Sequence, residues 1–83
     1  MPIAGVTILT ERKKTMDVLN QLQSIRNLTT YGIHKENYIV AVLEADKSSD
    51  LEQMTEKLKE EIPGVLGIYP AYINFEDELK DNL

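Results

Sequence analysis

Apolar and β-branched residues dominate Ile3 to Thr10, with Val6 and Ile8 on one side and Thr7 and Leu9 on the other. That alternation is the period of a strand. From Lys13 to Arg26 the spacing lengthens. Val18, Leu22 and Ile25 recur at i, i+4 and i+7 with Leu19 beside them, while Asp17, Asn20, Gln21 and Gln23 lie away from that stripe. This pattern predicts a helix with one buried face. Leu28 to Lys35 and Tyr38 to Ala45 are again rich in strand formers, and Glu36-Asn37 between them suits a two-residue hairpin turn. Ser49-Asp50-Leu51-Glu52 has the form of a capping box, with the Ser49 hydroxyl accepting from the Glu52 amide. Leu51, Met54, Leu58 and Ile62 follow at helical spacing until Pro63-Gly64 ends the helix. Val65 to Phe75 reads as a last strand. Pro70 confines it to a sheet edge or a bulge, because proline has no amide hydrogen to donate.

The order βαββαβ predicts an α+β, ferredoxin-like split-βαβ fold: a four-stranded antiparallel sheet with two helices on one face. Right-handed crossovers give the strand order 4-1-3-2, which leaves Pro70 at an edge. One sheet face then lacks helices. It carries Thr7 and Leu9, together with either Val40 and Val42 or Ile39, Ala41 and Leu43 from the third strand. Placing Ile39, Ala41 and Leu43 inside is preferred, since the other choice turns Glu44 inward, although a slip of one residue inverts the assignment. Adjoining aliphatic side chains on an uncovered face mark a binding surface.

The totals narrow the class. Eighty-three residues with 42% hydrophobic content suit one domain, expected over residues 1–75, with an acidic, frayed tail at 76–83. Net charge is −5 from 14 acidic and 9 basic side chains, and without the tail it falls to −2. That sign disfavours a phosphate backbone as partner. No cysteine is present, so disulfides and thiolate metal sites are excluded. The N-terminus has no basic segment leading into an apolar run, and no apolar stretch reaches the roughly 20 residues of a membrane span. These features lead to an expectation of a cytoplasmic protein that does not insert into a membrane.

Catalytic patterns are not found. His34 is the single histidine, with Glu36 as its nearby acidic group, too few donors for a metal site. Ser48 and Ser49 are far in sequence from His34, so no nucleophile–base pair suggests itself. The glycines, at positions 5, 32, 64 and 67, form no phosphate-binding loop. Glu11-Arg12-Lys13-Lys14 is a basic cluster at the mouth of the first helix, but an acylphosphatase would need an arginine within a glycine-rich loop. Tyr31, Tyr38, Tyr69 and Tyr72 would serve stacking on RNA only beside a basic margin, which this chain lacks. The expectation is a binding protein, not an enzyme, with no cofactor and no metal.

Three stretches carry a family likeness: Gly5-Val6-Thr7-Ile8-Leu9 through Asp17-Val18-Leu19-Asn20-Gln21-Leu22, Ile39-Val40-Ala41-Val42-Leu43-Glu44-Ala45-Asp46, and Pro63-Gly64-Val65-Leu66-Gly67-Ile68 running to Ala71-Tyr72. With their spacing and the acidic tail they resemble the NapD family, cytoplasmic chaperones of the periplasmic nitrate reductase. The likeness spans about residues 3–78, with Thr29 to Lys35 matching poorly. It implies binding of the twin-arginine (Tat) signal peptide of the catalytic subunit, which delays export until cofactor insertion and folding. On that reading Thr7, Leu9, Val40 and Val42 form an apolar platform, and Glu44, Asp46 and Glu11 near strand ends accept from the paired guanidiniums. Such a protein needs its sheet open, hence a monomer or weak dimer. The competing reading is a small-molecule-binding regulatory domain of the ACT or Lrp/AsnC type, which shares the fold and a similar Gly-Val-Leu-x-Ile-Tyr-Pro run. An obligate dimer would favour that alternative.

Overall fold

The computed structural model of the chain describes residues 2–70. Six elements follow in the expected order: β1 (Ile3–Thr10), α1 (Thr15–Leu22), β2 (Leu28–His34), β3 (Tyr38–Glu44), α2 (Ser48–Glu61) and β4 (Val65–Pro70). A single turn of 3-10 helix, Arg12–Lys14, leads into α1. The sheet order is β2-β3-β1-β4 with every pairing antiparallel, which is the 4-1-3-2 order of a split βαβ fold. Pro70 stands on the edge strand, as its missing donor requires. The strand expected to continue to Phe75 and the acidic tail at 76–83 lie outside the described residues.

Period-2 alternation decides what each strand buries. Val6 and Ile8 on β1 and Ile39, Ala41 and Leu43 on β3 point to the helical side and are buried. They meet Val18 and Leu22 of α1, Leu58 of α2 and Ile62 just beyond it, forming one core. Leu19, Ile25, Leu51, Met54 and Ile68 pack around its margin. The β3 face is therefore settled in favour of Ile39, Ala41 and Leu43 inside.

Three local expectations are corrected. α1 ends at Leu22, not Arg26. Past it the backbone tightens to i→i−3 bonds, Ser24 N to Gln21 O and Ile25 N to Leu22 O, and the Ser24 hydroxyl also donates to Gln21 O at 2.9 Å. This side-chain competition is the usual effect of serine at a helix end, yet Ile25 still reaches the core margin. The hairpin loop holds three residues, Lys35 to Asn37, because His34 pairs with Tyr38. Lys35 and Glu36 both adopt positive φ, +50° and +72°, which takes the place of the absent glycine. Finally, the capping box is not formed. α2 begins at Ser48, and its N-cap, Lys47, makes no side-chain cap bond. Ser49 is already helical; the first turn is closed instead by the Asp50 and Leu51 amides donating to Lys47 O.

Candidate functional site: the helix-free face of the sheet

Strand pairing fixes which side chains share the uncovered face. Three rows cross it. Thr29, Val42 and Gly5 form the first; Gly32, Val40, Thr7 and Tyr69 the second; His34, Tyr38, Leu9 and Gly67 the third. Ile3 and Glu44 pair at the margin beside the first row. The four expected platform residues, Thr7, Leu9, Val40 and Val42, thus lie together on two central strands. Thr7, Leu9 and Val40 are partly exposed, whereas Val42, expected on the open surface with them, retains only 9% exposure.

Small residues keep this face shallow, since Gly5, Gly32 and Gly67 occupy one place in each row. Glycine within a strand commonly marks a close approach of another chain segment. At Gly67 the close partner is internal. Tyr69, two residues along the same strand, folds its ring back across Gly67, so that a Cβ there would stand 2.8 Å from the phenol oxygen.

The three acidic positions are not brought together. Glu44 ends β3, and Asp46 lies two residues beyond; with Asn27 and Ala45 they line a small polar hollow. Glu11 follows the last residue of β1 at the opposite end of the sheet, since Leu9 pairs with Tyr38 while Ile3 pairs with Glu44. Six residues of strand separate the two ends, about 20 Å. The Glu11 carboxylate is also engaged, 3.4 Å from Lys14 Nζ.

His34, Lys35 and Tyr38 were not anticipated at the site. With Thr7 and Val40 they line an open hollow of about 200 Å3 at the hairpin end of the same face. Tyr38 could have been found by stepping two residues back from Val40. His34 could not. From Leu28 and Thr30, which face the helices, simple alternation sends residue 34 to the helical side. A register shift between Thr30 and Gly32 leaves Tyr31 unpaired and moves Gly32 and His34 to the open face.

Among the described residues no group of three His, Cys, Asp or Glu side chains is placed to hold a metal ion. No helix there is long and apolar enough to cross a membrane. What the face offers is a shallow apolar surface about 20 Å long, with carboxylates at one end and an imidazole and an ammonium group at the other.

The solution structure of NapD, a Tat proofreading chaperone protein of E. coli, has the same fold, with a TM-score of 0.75 at 19% identity over 86% of this chain and 75% of that one. No curated protein matches the sequence. The family model of the NapD protein matches residues 1–77, all but the last six positions. That match takes in every strand and helix described above, and the chain belongs to the NapD family.

Proposed function

We propose that this protein is a chaperone that binds the twin-arginine signal peptide of the periplasmic nitrate reductase catalytic subunit, acting in the cytoplasm before export. Family membership and the fold shared with a Tat proofreading chaperone support this reading. The observation that carries it is the helix-free face, where Thr7, Leu9, Val40 and Val42 lie side by side and Glu44 and Asp46 stand at one end. A Tat signal joins a paired-arginine segment to an apolar stretch. The apolar stretch lies on the platform, and the guanidiniums donate to the exposed carboxylates, the strongest hydrogen-bonded ion pairs available to them. Glu11 is ion-paired with Lys14 at the far end, so we assign the guanidinium contacts to Glu44 and Asp46. Binding on this face requires that it stay open, which corresponds to a monomer or weak dimer.

The test is an NMR titration of the labelled protein with the signal peptide and with a twin-lysine variant. Saturable shifts are expected at Thr7, Leu9, Val40 and Val42, with affinity reduced about tenfold by the lysine pair, which loses the bidentate fork. Glu44→Lys combined with Asp46→Lys should weaken binding by a similar factor and flatten its salt dependence, whereas Glu11→Lys should change it little. Shifts confined to the helices, or none, would reject this function.

A further inference from the structure

The open face has a direction. At the β3 C-terminal end stand Glu44, Asp46 and Asp50, against Arg26 and Lys47. At the hairpin end stand Arg12, Lys13, Lys14 and Lys35 with His34, against Glu11 and Glu36. Both carboxylates of that second group are already paired, Glu36 with Arg12 at 3.6 Å and Glu11 with Lys14 at 3.4 Å. Lys35 has no such partner among the described residues and borders the hollow with His34, Tyr38, Thr7 and Val40. The two ends of one apolar surface therefore favour opposite charges.

We infer that the bound peptide runs along β3 in one direction only. Its cationic segment lies at Glu44 and Asp46, and its apolar segment ends in the hollow formed by Thr7, His34, Lys35, Tyr38 and Val40. This rests on the signal-peptide reading above. Length supports it. The roughly 20 Å between Glu44 and Tyr38 equals about 13 residues of helix at 1.5 Å per residue, and the apolar region of a signal peptide runs to about 7–15 residues. A helical apolar segment beginning just past the arginines would thus present its C-terminal carbonyls at the hairpin end. Those carbonyls carry the negative end of the helix dipole, which the Lys35 ammonium stabilises. The half-buried Tyr38 side chain, which lines that hollow, combines an apolar ring with a polar hydroxyl, as suits the wet end of such a segment. In the reverse orientation, arginines would face Lys35 and peptide carbonyls would face Glu44, so both ends oppose it.

The experiment uses the unaltered, isotope-labelled protein and two synthetic peptides. Each has a paired-arginine segment followed by about 13 apolar residues and carries one nitroxide, at its N-terminal or its C-terminal end. The chain has no cysteine, so the label stays on the peptide. The N-terminal nitroxide should broaden the amides of Gly5, Glu44 and Asp46 at least threefold more than those of His34, Lys35 and Tyr38. The C-terminal nitroxide should do the opposite. In addition, Lys35→Glu should weaken binding about three- to tenfold without altering the fold, whereas Lys59→Glu on α2 should leave it unchanged. Saturable binding with the reversed broadening pattern, or with equal broadening at both ends, overturns the direction while leaving the signal-peptide reading intact. Absence of saturable binding to either peptide overturns both.

Discussion

At the residue scale, Gly64 is held by two independent constraints. Its φ is +98°, a region that costs an L-residue about 1–2 kcal/mol. A Cβ there would also lie 2.9 Å from Lys14 Cβ and 3.1 Å from Val18 Cγ2, where α2 hands over to β4 beneath the first helix. Neither neighbour is free to retreat, because Val18 is fully buried and Lys14 Cβ sits on backbone whose amide donates to Glu11 O at 2.9 Å, while the Glu11 amide donates to Gly64 O at 2.9 Å. Overpacking of this kind costs about 1–3 kcal/mol. Gly32 separates the two contributions: it has φ +119° but open space around its Cβ position. Gly64→Ala should therefore destabilise by about 2–5 kcal/mol and Gly32→Ala by about 1–2 kcal/mol. Urea unfolding monitored by circular dichroism gives both as midpoint shifts at constant slope. Equal losses would mean that backbone conformation alone governs both sites.

At the scale of elements, the hairpin end is tied to β1 by a small polar network. Thr10 is buried, and its amide and hydroxyl both donate to Asn37 O, at 3.0 and 3.2 Å. The Thr10 and Thr15 hydroxyls are also hydrogen-bonded to each other at 2.7 Å, the Thr15 hydroxyl lies 3.3 Å from both Glu11 O and Arg12 O, and the Asn37 side-chain amide donates to Thr10 O at 3.1 Å. The strand, the start of α1 and the β2–β3 loop are thus joined at one point. Thr10→Val and Thr15→Val should each cost about 1–2 kcal/mol. Because either variant removes the same hydroxyl–hydroxyl bond, the double variant should fall short of the sum by about 0.5–1.5 kcal/mol. A strictly additive cycle would show that the two hydroxyls act separately. This network was not legible in the sequence, since Thr10, Thr15 and Asn37 belong to three segments that only the folded sheet brings together. Strands and helices were legible for the opposite reason: Val6 and Ile8, or Leu58 and Ile62, repeat at the period of their own element. The platform residues Thr7, Leu9, Val40 and Val42 came from the same alternation. Turn and cap details failed because backbone conformation overrode the local pattern, as in Lys35 and Glu36 at positive φ and Ser49 drawn inside α2. The bulges were equally hidden. One leaves Tyr31 unpaired on β2 and the other leaves Leu66 unpaired on β4. Together with Pro70 they interrupt both edges, which disfavours strand addition there and leaves the face as the better surface for a peptide.

At the scale of the whole molecule, the candidate surface exists only when the chain is folded. Its rows draw on all four strands, so residues from Ile3 to Tyr69 must be assembled before a ligand meets the complete face. An unfolded chain offers isolated Glu44, Asp46 and aliphatic side chains but no platform. A ligand that binds only the folded form stabilises it by RT ln(1 + [L]/Kd), about 2.7 kcal/mol at a hundredfold excess over Kd. A domain of this size shifts its Tm by roughly 4–8 °C per kcal/mol, so saturating signal peptide should raise Tm by about 10–20 °C. The twin-lysine peptide at the same concentration should raise it by about half as much, since a tenfold weaker Kd removes about 1.4 kcal/mol. Differential scanning calorimetry over a peptide concentration series measures both, and the Tm should climb with the logarithm of free peptide once binding saturates. If Kd from the NMR titration were tight but Tm barely moved, the peptide would be binding the unfolded chain nearly as well. Charge attraction to scattered carboxylates would then account for the affinity, and the assembled face would not be the site.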